Sequence, residues 1–476
     1  MSLVVALMVA LGAAAVLHRV GRSSGDRVAA STTDVRPPAP ATATPASSTP
    51  SAEVHARTGV SLSPSAAASS AAPSTASPTP TLDLVSARTK AVEAVLAQHA
   101  AALLHRDQPA FAATLAPSAA AFRTAQLAVY ANTAGVAFAS WFYEVDRDDV
   151  QEATVPRDGQ LLVAVTLRYA LRGFDPQPTA LREYLTFVTT DSDSGWLLAS
   201  DVDGAASGEH SARDLWDFGP VVVVQGARSL VLAHPAGLVL AHTLATAADV
   251  AVPRVTAFWG TKGWAGRVVV LVPATVDELR QIVGTSQDLS QIAALATAEI
   301  STTARGDSAV GDRVAINPAT FGTLGALGRR VVMTHEITHV ATRSVTAAGM
   351  PTWLVEGIAD YVGFKGTGTS ARFDASELAG QVSEGHLPSS LPTSADFAED
   401  ADSGTELAQD YEKAWMACRF IVSRTSEASL IAFYRAVGTG DGTPAAVVKA
   451  AFADVLHTDQ ATFTAAWQSY VAVSLT

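Results

Sequence analysis

The segment Val331-Val332-Met333-Thr334-His335-Glu336-Ile337-Thr338-His339-Val340 constrains this chain more than any other. Its apolar residues recur at helical spacing. Histidines at i and i+4 stand one turn apart on one face, so both imidazoles can reach a single ion. Glu336 is rotated around the helix from His335, placed to face a water at that ion rather than the ion itself. The next helical stretch, Pro351-Thr352-Trp353-Leu354-Val355-Glu356-Gly357-Ile358-Ala359-Asp360-Tyr361, opens on a proline suited to a first turn. Glu356 and Asp360 share a face of it. Glu356 can supply a third ligand, and Asp360 can hold a ligating imidazole through its other ring nitrogen. Gly357 is expected to let this helix approach the first closely. A fold that uses these residues must therefore cross two helices so that one carboxylate meets two imidazoles. The plainer alternative puts both acids on a solvated face, which fits poorly with an otherwise apolar helix carrying Trp353.

The composition narrows the donors. A formal net charge of -13 over 476 residues makes a poor phosphate-backbone binder, so nucleic acid is set aside as a partner. The single cysteine, Cys418, can form no internal disulfide and excludes multi-cysteine metal sites. Any metal must rely mainly on His, Asp and Glu. The expected cofactor is Zn2+, held by His335, His339 and Glu356.

Along the chain, 48% hydrophobic residues suffice for more than one buried core. Leu3 to Leu17 is an uncharged run, shorter than the ~20 residues of a membrane span but suited to a signal or signal-anchor core. Residues 1–27 are read as that segment. Arg19, Arg22 and Arg27 follow the run, which by the positive-inside rule would keep the body of the protein in the cytoplasm. Residues 28–82, dominated by Ala, Ser, Thr and Pro, favour the opposite reading: a disordered stalk lifting a domain off a membrane at the cell surface. Residues 83–205 carry helical spacing over 84 to 115 and from Phe122 to Ala139. Strand-like runs follow at Leu161–Tyr169, Glu183–Val188 and Trp196–Ala199. This order predicts a small α+β domain and resembles the NTF2-like fold, which implies a ligand pocket, a spacer or an inhibitory role.

A boundary is expected near Ala205-Ala206-Ser207-Gly208, with residues 215–476 folding and holding metal on their own. Val221–Val224 and Arg267–Val272 read as buried strands. Val276–Val283 and Leu289–Ala298 read as helices, and helices dominate from about Gly328 onward. The overall fold class is α+β.

The segments His335-Glu336-x-x-His339 and Trp353-Leu354-x-Glu356-Gly357-x-Ala359-Asp360-Tyr361 together resemble the gluzincins. Within these they are similar to the peptidase MA-like metallohydrolases related to aminopeptidase N and thermolysin. In that group the third ligand is a Glu on a following helix, in a Glu-x-x-x-Asp arrangement, as Glu356 and Asp360 stand here. Sixteen residues separate His339 from Glu356, slightly fewer than in the aminopeptidases. Tyr411-Glu412-Lys413-Ala414 is similar to the Tyr-Glu-Lys-Gly segment of those enzymes, with Ala414 in place of the glycine. The resemblance implies that Tyr411 stabilises an oxyanion. Leu391-Pro392, Asp396-Phe397, Phe463 and Trp467 also resemble segments of the bacterial MA-like proteins. The resemblance covers roughly 215–476 and implies a zincin-like catalytic domain, a small sheet followed by helices. Arg313–Pro318 falls where zincins place the edge strand beside the cleft. No Gly-x-Met-Glu-Asn segment precedes His335. Aminopeptidases hold the free α-amine with its Glu, so an endopeptidase is implied.

The expected function is hydrolysis of a peptide or protein substrate, with Glu336 as general base. Two alternatives stand beside it. One is a zinc-binding but inactive surface protein whose first domain binds a ligand; the intact Glu336 argues against it. The other is a metallohydrolase acting on something other than peptides. The acidic run Asp396, Glu399, Asp400, Asp402, Glu406 and Asp410 could favour basic substrates or hold calcium, with a solvated loop as the plainer reading.

Overall fold

The computed structural model describes residues 7–8, 80–146, 159–189, 195–286, 289, 292–303, 306–397 and 404–476. The fold is mixed α+β, built on two sheets. Of the expected anchor and stalk, 1–6 and 9–79 lie outside the described residues, as does the Glu399–Asp402 part of the acidic run.

The first unit opens with helices α1 (Pro80–His105) and α2 (Ala120–Asn132). Strands β1 (Phe138–Val145), β2 (Gln160–Leu171), β3 (Thr179–Thr189) and β4 (Trp196–Ser200) form an antiparallel meander in that order. The helix expected to reach Ala139 stops at Asn132, and Phe138 begins a strand instead. The sequence Asn132-Thr133-Ala134-Gly135 breaks the helix, and Phe138 and Trp141 are then buried in an aromatic cluster with Tyr169 and Trp216.

The second unit has a mixed sheet. It contains β5 (Val222–Gln225), β6 (Ser229–Ala233), β7 (Val268–Val272), β8 (Ala294–Thr303) and β9 (Gly306–Ile316), in the order β5-β6-β7-β9-β8. A two-residue strand, Leu7–Met8, pairs antiparallel with the outer edge of β8 at Leu295 and Ala296. Helix α3 (Leu238–Trp259) connects β6 to its parallel neighbour β7, and α4 (Val276–Val283) follows β7. By length and composition α3 could cross a bilayer. Here its Ala241, Leu244, Ala248, Val252 and Val255 are fully buried in the core. Longer helices then succeed one another along the chain: α5 (Ala326–Thr342), α6 (Thr352–Phe364), α7 (Gly404–Arg424), α8 (Glu427–Thr439), α9 (Pro444–Leu456) and α10 (Gln460–Leu475).

Two expectations are corrected in this sheet. Leu289–Ala298, read as helical from its alanines, instead runs into β8. Ala294 and Ala296 are fully buried beneath the helix layer, where a small side chain on a strand fits, and this packing overrides helix propensity. Arg313–Ile316 is not an edge. It lies inside the sheet, paired with β7 on one side and β8 on the other, so the outer strand is β8.

The sheet is buried on both faces, which explains its nearly unbroken apolar runs. Along β6 and β7 the residues alternate. Val231, Ala233, Val268, Val270 and Val272 join the core under α3 and α5. Leu230, Leu232, Val269 and Leu271 face the other way and join the core of the first unit, with Val163, Leu167, Leu215 and Trp216. The expected boundary near Ala205 therefore separates two stretches of chain that share one apolar layer. Arg313 reinforces the join with a bidentate ion pair to Asp175 of the first unit, at 2.7 and 2.8 Å, both side chains almost wholly buried.

Candidate metal centre

Helix α5 is buried around its whole circumference from Val331 to Thr342, held between α3, α6 and β8. A helix so placed must account for every polar side chain. Thr334 and Thr338 donate to the backbone one turn back, at Arg330 O (2.7 Å) and Thr334 O (2.8 Å), so they cost little there. That leaves His335, Glu336 and His339 without local partners.

Helix α6 reaches α5 through Gly363 rather than Gly357. A Cβ at Gly363 would stand 3.2 Å from Val331 O and 3.7 Å from His335 Cβ. Gly357 faces α7, where a Cβ would overlap Ala414 O and stand 2.9 Å from Cys418 Sγ. The close approach expected of Gly357 is real but is made to a different helix. It fixes α6, and with it Glu356, from the side away from the histidines. Gly357→Ala would force α6 off the α7 backbone, at a cost of about 1–3 kcal/mol. We expect metal affinity to fall at least ~10-fold with it, since ligand spacing is set by that contact. Zinc titration against a chromogenic chelator reads this directly, and wild-type affinity would show that the crossing does not position the ligand.

The crossing brings three donors together. His335 Nε2 and His339 Nε2 lie 2.8 Å apart, and Glu356 Oε2 is 3.3 Å from the first and 3.4 Å from the second. His335, Glu336 and Glu356 are almost fully buried and His339 nearly so. On its other side His335 Nδ1 stands 2.7 Å from Asp360 Oδ1. Tyr411, also buried, is on α7 with its ring edge-on to Phe397 at 5.1 Å between centroids.

Burial and neighbouring charges act on each of these groups. Burial disfavours charge on His335, but the Asp360 carboxylate outweighs it and raises the imidazole well above its usual range. Burial holds His339 below its usual value against the pull of Glu356. Glu356 would be raised by burial, yet the two histidines bring it below the ordinary carboxylate range. Glu336 is pushed up to about 8, first by burial and then by Glu356, with His335 acting in the opposite direction. Both Glu336 oxygens and Glu356 Oε2 are buried without a hydrogen bond. Three lone-pair-bearing atoms thus converge on one point beside the buried Glu336 carboxylate, a donor set that could hold a metal ion.

Two nearby residues were not singled out from the sequence. Arg343, the residue just past the end of α5, donates to Asp312 Oδ1 at 2.6 Å and to Ala296 O at 3.0 Å. It ties the outer strand β8 to the end of the metal-site helix. Its signal was present in the i+4 continuation His335, His339, Arg343. Ala296 carried none, because backbone groups have no sequence signature.

A scan against protein-family models and a search of curated proteins each found no match to this chain.

Proposed function

We propose that the protein is a zinc-dependent peptidase of the gluzincin type, with a zincin-like catalytic unit backed by an NTF2-like unit. The observation that supports this reading is the convergence of His335 Nε2, His339 Nε2 and Glu356 Oε2 next to the buried carboxylate of Glu336. His335, His339 and Glu356 would hold the ion. Asp360 would fix the His335 tautomer and orientation through Nδ1. When bound, zinc supplies Lewis acidity toward a carbonyl and makes a water acidic near neutral pH.

The remaining steps belong to the chain. Glu336 takes the proton from the attacking water and returns it to the departing amine. Tyr411 is assigned as donor to the oxyanion, an interaction that can be worth about 3 kcal/mol. The substrate is an extended peptide added to the outer edge of β8. In support, that edge already accepts Leu7–Met8 in antiparallel pairing at Leu295 and Ala296. The absence of an amine-holding Gly-x-Met-Glu-Asn segment favours an endopeptidase. The Leu3–Leu17 run and the Ala/Ser/Thr/Pro segment support a location at the cell surface.

Purified full-length protein is expected to carry about one zinc per chain. His335→Ala/His339→Ala should lose it, together with activity in a peptide-library digest. Full zinc occupancy in the double variant would put the metal elsewhere. Zinc without cleavage of any library peptide would retire the peptidase reading.

A further inference from the structure

A second cavity, of 330 Å³, opens where α6 ends. Its walls come from Tyr361 and Phe364 of α6, the loop 365–369, and Trp415 and Arg419 of α7. Two opposite charges in this lining are incompletely satisfied. Asp374 is 3% exposed. Its Oδ2 accepts a hydrogen bond from Thr369 Oγ1 at 2.8 Å, but Oδ1 is buried with no donor. Arg419 lays its guanidinium over the Trp415 ring, 4.7 Å from the centroid, and its Nε is buried with no acceptor. No ion pair joins Asp374 to Arg419 among the described residues.

Tyr361 and Lys365 are engaged elsewhere. Tyr361 donates to Glu427 at 2.8 Å and Lys365 donates to the same carboxylate at 2.7 Å. What the lining leaves open therefore includes one buried acceptor and one stacked cation, between walls that set the rings of Phe364, Trp415 and Tyr470 against the polar loop 365–369. Buried polar atoms in folded proteins are nearly always paired, and an orphaned charged one is expensive. A molecule that satisfies both carries a cationic donor and an anionic acceptor, with an apolar portion to lie against the Phe364 and Trp415 rings.

We propose that this cavity binds a free α-amino acid, its ammonium on Asp374 and its carboxylate on Arg419. The assignment is independent of the chemistry proposed at His335. It has a consequence for that site, because α6 carries both the cavity wall and Glu356. A bound amino acid would brace the helix that supplies the third ligand.

The test uses the full chain and calorimetric titration, with Trp415 fluorescence as a second readout. L-leucine, L-phenylalanine and glycine probe the apolar portion, and L-leucyl-L-leucine probes whether a longer zwitterion is preferred. N-acetyl-L-leucine lacks the ammonium and L-leucinamide lacks the carboxylate. One saturable site for at least one of the free amino acids is expected, with both derivatives of leucine at least ~10-fold weaker than leucine, since each leaves one charged group unpaired. Asp374→Asn and Arg419→Met should each weaken binding to the same degree while zinc content and unfolding temperature stay near wild type. If Asp374→Asn fails to fold, Arg419→Met, at a half-buried position, decides the matter alone. Four outcomes overturn the proposal: no saturation with any free amino acid, binding of the dipeptide only, equal binding of the derivatives, or binding that survives Arg419→Met.

Discussion

Replacing Glu336 by Gln is expected to leave zinc in place while peptide turnover falls by ~100- to 10,000-fold. Gln keeps the shape of the side chain, and Glu336 is not among the three converging donors, so metal content has no reason to change. What is lost is the group placed to take a proton from water. Both carboxylate oxygens are buried beside the three donors, where no side-chain hydrogen bond holds them. Burial raises this carboxyl to about 8, and a cation beside His335 would lower it and favour a carboxylate base. Paired measurements of metal content and single-turnover cleavage check the prediction. Near-wild-type cleavage by Glu336→Gln would remove the proposed mechanism, whereas loss of zinc alone would recast Glu336 as a ligand.

The second large effect concerns the first unit. Deleting residues 1–210 should leave a second unit that does not fold cooperatively. Leu230, Leu232, Val269 and Leu271 lie at 7% exposure or less in a core completed by the first unit. At about 1.5–3 kcal/mol each, baring them costs about 6–12 kcal/mol. Removing Asp175 also strands the Arg313 guanidinium, a loss of about 3–5 kcal/mol for a buried pair with one partner gone. Together these match or exceed the roughly 5–15 kcal/mol by which an ordinary domain is stable. The independence expected of 215–476 from composition alone took no account of this face. Circular dichroism and zinc titration of the deletion variant provide the check; a sharp unfolding transition with wild-type zinc affinity would show that the two cores are separable.

Arg313 illustrates why such coupling is hard to read in advance. Its neighbours Val314, Ala315 and Ile316 announce a strand, but nothing near it in sequence announces Asp175. The pair is separated by 138 residues and exists only because β9 runs inside the sheet against the first unit.

Whatever depends on short-range periodicity could be read directly from the residues. Histidines four residues apart must share a helix face, as must Glu356 and Asp360, so the contents of the candidate site were legible in the chain itself. The run Arg267–Val272 likewise had to hold a buried strand, whereas Val221–Val224 holds a strand that is only half-buried at the edge of the sheet. Three other matters were settled by long-range packing alone. It made a strand of the alanine-rich stretch 294–298, because small side chains were needed beneath α5. It turned Gly357 toward α7 and Gly363 toward α5, since a glycine advertises a close approach but not the partner. And it joined the two units through alternate residues of β6 and β7, because a residue's burial is visible in sequence while the identity of what buries it is not.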